Sequence, residues 1–259
     1  GGDRLATGHY VRLEQSGQRV ELHKGKDSNK DQSYFLHAVG AEELRNVIFP
    51  LANRLKSEVR DIARKASLPL AEKKDSTGIC FIGERPFANF LGQYLPSTAG
   101  VIRDPEGRSL GEHRGLPYYT LGQRQGLGIG GVADRADGAW YVAGKNVETN
   151  ELIVVQGKDH PNLFQNWLTA SAMHWINGVT PGWSLGSTLK CNAKTRYRQA
   201  DQACTVTAGP NETVEVSFER PQRAITPGQY VVFYQGSRCL GGATIETTEM
   251  RLDTFEAVG

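Results

Sequence analysis

The residue of this chain best placed for covalent chemistry is Cys80. It lies in Lys73-Lys74-Asp75-Ser76-Thr77-Gly78-Ile79-Cys80-Phe81-Ile82-Gly83-Glu84-Arg85, where two glycines bracket the cysteine and three cations flank it. Positive charge favours the thiolate, the form that attacks carbon or sulfur. Ile79, Phe81 and Ile82 equally admit a packing role for a small buried sulfur side chain, so both readings stay open. Cys191 and Cys204 sit in alternating runs that turn them inward, and they read as packing.

A second chemistry is written in residues 189–198. On an extended strand Lys190, Asn192, Lys194, Arg196 and Arg198 share one face, and Leu189, Cys191, Ala193, Thr195 and Tyr197 share the other. Cations about 7 Å apart along a strand repel one another, so this face suits a polyanion such as a phosphate backbone. A solvated outer face is the alternative. The polar stretch Gly25 to Phe35 has the same ambiguity. Ser28 or Asp31 could cap a helix, while Lys30 and Gln32 could hold a phosphate and a base edge. Gly126-Leu127-Gly128-Ile129-Gly130-Gly131 looks like a nucleotide-binding glycine run, but no helical pattern follows it and the dinucleotide reading fails. The six histidines and four cysteines fall at neither zinc nor disulfide-framework spacings. No structural metal is expected, and a reducing cytoplasm is the natural compartment.

These residues need elements to position them. Leu5 to Thr7 reads as a strand running into a loop at Gly8-His9, and Tyr10 to Leu22 as a hairpin turning at Gly17. Ala41 to Val47 and Lys56 to Ala66 read as helices, as does the stretch from Pro86 to Tyr94, where Phe87, Phe90, Leu91 and Tyr94 recur at helical spacing. Between Gly100 and Gly131, nine of 32 residues are glycine, which marks a loop-rich β module. Asp104-Pro105-Glu106-Gly107 forms a turn there, and Trp140 to Val142 pairs with Leu152 to Val155. Residues 189–197, 203–207, 213–218, 230–234 and 239–245 are β-rich runs at the spacing of a small barrel. The chain of 259 residues, with 30 Lys+Arg against 28 Asp+Glu, is long enough for more than one core and close to neutral. Its longest apolar run, Val47 to Ala52, is far short of the ~20 residues that span a bilayer, so no membrane span is expected. The start at Gly1-Gly2-Asp3 shows no signal peptide and suggests an internal cut.

Six segments in order resemble the bacterial tRNA-specific 2-thiouridylase (MnmA) family: Ala6-Thr7-Gly8-His9-Tyr10, Lys30-Asp31-Gln32-Ser33-Tyr34-Phe35-Leu36, Lys74 to Glu84, Leu121-Gly122-Gln123-Arg124 with Gly126 to Gly131, Lys194 to Arg198, and Thr226-Pro227-Gly228-Gln229. The resemblance implies a fold: an α/β remnant of an adenine-nucleotide (PP-loop ATPase) domain over 1–85, a small glycine-rich β module over 86–163, and a C-terminal antiparallel β-barrel over 164–259 that binds tRNA. It implies ATP, bound with magnesium, as co-substrate in 2-thiolation of the wobble uridine of tRNAs for Lys, Glu and Gln. It also implies a sulfur-relay donor protein as partner, and a monomer is expected. Carried over by position, Cys80 is the catalytic persulfide cysteine and Gly8 touches the nucleotide. His9, Lys30, Asp31, Gln32, Arg196, Tyr197 and Gln229 contact tRNA. Strand parity puts Arg196 and Tyr197 on opposite faces, so for both to touch RNA the strand must twist or end there.

The family's pyrophosphate-binding Ser-Gly-Gly-x-Asp-Ser motif and its first catalytic cysteine belong upstream of Gly1. The expectation is therefore the parent enzyme's function, with tRNA binding but not full activity in this piece. Two other classes stand beside it. One is a non-catalytic, translation-factor-like RNA-binding module, which an inert Cys80 would favour. The other is a cysteine hydrolase pairing Cys80 with His9, His23 or His113, which lacks a local nucleophile signature.

Overall fold

A computed structural model describes residues 2–17, 19–69, 71–72, 97–130, 138–179 and 182–250. Cys80 with its flanks, and the helix expected over residues 86–94, lie outside the described residues. The chain divides into two compact units, one of residues 1–74, 166–221 and 227–259, the other of residues 75–165 and 222–226.

In the first unit, β1 (Leu5–Ala6) pairs in parallel with β4 (Val47–Ile48). β2 (Val11–Ser16) and β3 (Arg19–Lys24) form the expected hairpin, with Gly17 at φ +60° in its turn. A 3-10 turn covers Ser33–Leu36, and α1 is confined to Ala41–Leu44. The helix expected through Val47 is thus too long, because the Leu5 and Thr7 amides donate to the carbonyls of Asn46 and Ile48 and draw Val47-Ile48 into a strand. α2 (Lys56–Lys65) forms as expected. Its entry is fixed by the Leu55 amide donating to Glu58 at 2.7 Å and the Lys56 amide donating to Asp27 Oδ2 at 2.8 Å, which satisfies otherwise orphaned helix-end donors.

The second unit is built on β5 (Gly100–Arg103), β6 (Ser109–His113), β7 (Trp140–Asn146) and β8 (Glu151–Gln156), in the order β6-β5-β8-β7. The Asp104 turn forms as read: Asp104 Oδ1 accepts from the Arg108 amide at 2.8 Å and Gly107 takes φ +85°. Ile102, Val142, Leu152 and Val154 pack with Trp140, Leu116, Tyr119 and Leu127 as the core.

The remaining strands are β9 (Phe164–Trp175), β10 (Thr188–Lys194), β11 (Gln202–Ala208), β12 (Val214–Arg223), β13 (Tyr230–Gln235) and β14 (Arg238–Glu249). The order β13-β10-β11-β12-β9-β14 is closed by pairing of β13 with β14, giving a six-stranded antiparallel barrel. β9, twelve residues long, is the barrel strand absent from the sequence reading. β14 also pairs with β3 (Arg238 with His23, Cys239 with Leu22), so the β2–β3 hairpin extends the barrel sheet. Val231 to Tyr234 are all buried. By strand alternation Val231 and Phe233 fill one face, while Val232 and Tyr234 join Val11, Val20, Leu22, Tyr34 and Phe49 in a core between the barrel wall and the first fifty residues.

β14 bends where it passes between its neighbours, and Gly241 permits the bend. It has φ +148°, and a Cβ there would lie 1.9 Å from the His174 carbonyl oxygen. Gly241→Ala combines a disfavoured backbone with overpacking against fixed main chain, so it is expected to destabilise the barrel unit by about 1–3 kcal/mol. A lowered urea midpoint at unchanged slope checks this.

Candidate nucleic-acid interface

The loop after β3 is shaped by two buried carboxylates. Asp27 accepts from the Asn29 amide at 3.1 Å and, through its other oxygen, from Lys56. Asp31 accepts from the amides of Gly25 (3.3 Å) and Ser33 (3.2 Å), and from Ser33 Oγ (3.0 Å). Gln32 is locked to the strand beside it: its side-chain oxygen accepts from the Tyr10 amide at 3.0 Å, and its own amide donates to the Tyr10 carbonyl at 3.2 Å. Lys30, between these anchors, is held at the rim by the hydrogen bond from its amide to the Asp27 carbonyl.

Across from this loop, β10 ends at Lys194. The expected strict alternation through Arg198 is therefore corrected. Thr195 gives both its amide (2.7 Å) and its hydroxyl (3.0 Å) to the Gln199 side chain, not to a neighbouring strand. Residues 196–198 turn instead, which removes the parity conflict between Arg196 and Tyr197. Lys194 also leaves the expected exposed cationic face. It is buried, 3.8 Å from Asp31 and 3.7 Å from Asp201, with its ammonium over the Tyr234 ring at 5.3 Å. Lys24 pairs with Asp201 and covers the same ring, and the Tyr234 hydroxyl meets Ser33 Oγ at 3.2 Å. Two lysines, two aspartates and a tyrosine thus join the loop to the barrel.

Lys30, Asp31, Lys194, Tyr197, Arg198 and Gln199 line one open cleft of about 450 Å3. The fold thus brings together Lys30, Asp31 and Tyr197, with Gln32 tied directly behind. Asp31 is inside the cleft floor, not on the surface. Arg196 lies near the Tyr34 phenol and favours its ionisation, but burial prevails and pushes that phenol up to about 12. Tyr34 thus stays protonated and donates to the Tyr230 carbonyl at 2.9 Å. Gln229, exposed, adjoins Tyr230 and accepts from the Ile245 amide through its carbonyl. Gly8 and His9 do not line this cleft. His9 is half-buried, bonded to Thr7 Oγ1 at 2.8 Å and edge-on to Phe49. Its chain neighbour Tyr10 carries the double link to Gln32.

Arg198, one of the cations of the face read from sequence as suiting a polyanion, lies in the cleft wall, and the exposed Phe35 beside Tyr197 (ring centroids 4.4 Å apart) is a residue that the sequence reading gives no contact role. An aromatic pair entering a polar loop was the available signal. The three described cysteines are free thiols. Cys191, half-buried, faces Cys204 at 3.8 Å, and the hydrogen bond between them, with burial, pushes the Cys204 thiol far up. Burial pushes Cys239 up to about 12. The hydrolase reading loses two of its histidines to structural roles. His113 bonds the Asn150 carbonyl and the Gly115 amide, and His23 bonds Ser237 and Glu21. Glu14, Glu21 and His23 converge within 4.8 Å of one another, but Arg12, Arg19 and Arg238 already pair with the two carboxylates. Among the described residues no helix is long and apolar enough to cross a membrane.

Three family profiles match the chain in series: "tRNA methyl transferase HUP domain" over residues 1–84, "tRNA methyl transferase PRC-barrel domain" over 88–156, and "Aminomethyltransferase beta-barrel domain" over 165–245. Proteins named tRNA-specific 2-thiouridylase MnmA match along almost its whole length. That of Xanthomonas campestris pv. campestris (strain B100) is 53% identical over 98% of this chain and 66% of the relative. Those of Pseudomonas fluorescens (strain Pf0-1) and Stutzerimonas stutzeri (strain A1501) are 55% and 56% identical over 96% of this chain and 65% of each relative. The chain belongs to the MnmA family. It spans about two thirds of the length of these MnmA relatives. Its architecture is that of an MnmA chain: a HUP-domain remnant, a PRC-barrel-type middle and a C-terminal β-barrel.

Two substitutions test this geometry. Removing one member of a buried ion pair leaves the other uncompensated. Lys194→Met should therefore lower stability by about 2–3 kcal/mol, below the upper range because Asp201 keeps Lys24. Chemical denaturation measures it, and Lys194→Met combined with Asp31→Asn should lose less than the sum of the single changes. The second concerns His37, which burial holds below the ordinary histidine value of 6.5 against its bond to the Tyr34 carbonyl, with His174 adding to the lowering. The folded protein binds this proton more weakly than the unfolded chain. His37's stabilising effect is therefore complete above pH about 6.5 and is lost as pH falls below it. Urea midpoints at pH 7.5 and 5.5 should diverge less in His37→Gln than in the parent.

Proposed function

We propose that the parent protein carries out ATP-dependent 2-thiolation of the wobble uridine in tRNAs for Lys, Glu and Gln, and that this chain supplies a tRNA-gripping surface and the sulfur-carrying cysteine. The observation that carries this reading is the convergence of Lys30, Tyr197 and Arg198 on one cleft from two segments far apart in sequence. Cations with an aromatic ring in an open groove suit an RNA backbone and an unpaired base. In this reading Lys30 and Arg198 neutralise phosphates, and the Gln32 side-chain NH2 donates to a base edge. Arg196 and Gln229 extend the contact along the barrel, and His9 extends it from the segment between β1 and β2. Asp31 acts as the buried counter-charge that fixes Lys194 and the loop.

The chemistry then divides among three groups. ATP, with magnesium, supplies an adenylyl group to the uracil O2, displacing pyrophosphate and converting a poor electrophile into a phosphate ester. The terminal sulfur of a Cys80 persulfide attacks C2, and AMP leaves with the former oxygen. An upstream cysteine thiolate then attacks Cys80 Sγ, closing a disulfide and leaving sulfur on C2 as 2-thiouridine. Gly8 fits a nucleotide neighbour. Among the described residues, a Cβ placed on Gly8 would meet Leu51 Cδ1 first, at 3.9 Å, so there is room beside this backbone for a ligand to approach closely. The persulfide comes from a sulfur-relay donor protein. The setting is cytoplasmic, the protein a monomer, and the three-part division 1–85, 86–163 and 164–259 that of the parent. This piece alone binds tRNA without completing the reaction.

The test is binding of the chain to tRNA-Glu and to a non-substrate tRNA at two salt concentrations, with Lys30→Ala and Arg196→Ala alongside. Each variant is expected to weaken binding several-fold and to lower the log–log salt slope by about 1. Equal, feeble binding of every RNA by all three chains would overturn the assignment of this face.

A further inference from the structure

Phe35 is 55% exposed, an ordinary state for an isolated apolar residue, but this ring is not isolated. Its centroid lies 4.4 Å from that of Tyr197 at 38°, and it stands edge-on to Tyr34 at 5.7 Å and 85°. Tyr34 is buried and hydrogen-bonded, and the Phe35 amide donates to the Gln32 carbonyl at 3.1 Å. The ring is therefore held from behind while much of its surface remains open to solvent. Tyr197 is shared with the wall of the cleft that carries Lys30 and Arg198.

We propose that the exposed ring of Phe35, backed by Tyr197, is a stacking platform for one unpaired nucleobase of bound RNA. This rests on the RNA-binding reading above and adds a subsite to it. A phosphate placed against Lys30 or Arg198 leaves its nucleotide's base within the reach of a neighbouring ring. Every base offers a π face, so the subsite discriminates unpaired from paired bases, not one base from another. A ring already immobilised by its neighbours loses little freedom on binding.

The test compares Phe35→Ala, Phe35→Leu and Phe35→Trp in the 259-residue chain. Each is assayed against an anticodon stem-loop hairpin and a fully paired duplex of equal phosphate count, with thermal melting to confirm folding. Ala and Leu are expected to weaken hairpin binding about tenfold, leaving duplex binding and the salt slope unchanged. Trp, which keeps a π face, should stay within about threefold of the parent. Leu retains apolar bulk, so its loss separates stacking from packing. If Phe35→Leu binds the hairpin within about twofold of the parent while Lys30→Ala loses affinity, the stacking site is overturned and the RNA interface stands. If the parent prefers neither RNA and Lys30→Ala changes nothing, the RNA reading itself falls and this subsite with it.

Discussion

The contact between Asp31 and Lys194 organises the cleft side of the barrel unit. Neither charge is solvated, so each requires the other, and each is also bound to further groups: Asp31 to Ser33 and the Gly25 amide, Lys194 to Asp201 and the Tyr234 face. Because an uncompensated buried charge is costly, the loop after β3 and the end of β10 are held in one relative position. Lys30 and Gln32 flank one member of the pair, and the turn carrying Arg196, Tyr197 and Arg198 follows the other. Half-buried and exposed side chains that are flexible in themselves thereby gain a defined spacing. The buried pair positions the exposed cations.

The same relation explains how a candidate binding set can contain a residue of the cleft floor whose oxygens serve the fold. Asp31 lies between two side chains of the cleft, yet its oxygens are occupied by internal donors. A motif Lys-Asp-Gln so read contains one rim residue, one residue of the floor and one residue whose carbonyl oxygen is committed to Tyr10. The tyrosines divide in a similar way. Tyr234 is part of the floor, Tyr34 supports the rim from below, and Tyr197 faces the opening.

Much of the fold was legible where a local rule acts alone. The β2–β3 hairpin, the Asp104 turn and the pairing of β7 with β8 follow from alternation and turn chemistry within a few residues. The failures share a cause, namely tertiary contacts that interrupt or imitate a period. β9 escaped notice because Ala172 takes φ +51° inside it, its Met173 amide bonding to Glu212, so the strand's inward and outward positions change parity midway. β10 was extended too far because Thr195 to Arg198 happens to continue the alternation, although the Gln199 side chain captures the Thr195 donors. Lys194 was placed among exposed cations for the same reason: the counter-charge that draws it inward lies far away in sequence, in Asp31. The cleft required knowing that residues near 30 and near 197 meet, and no spacing within either segment encodes that.

The pairing of Leu22 and His23 with Cys239 and Arg238 has a consequence for how the protein is made. The β2–β3 hairpin docks on a strand more than two hundred residues further along the chain, and that strand also closes the barrel by joining β13 and β9. Contacts so distant in sequence form late. Until β13 and β14 are made, Val11, Val20 and Leu22 lack the part of their cover that Val232, Tyr234 and Cys239 supply. The growing polypeptide is therefore most exposed to misassociation before β14 appears.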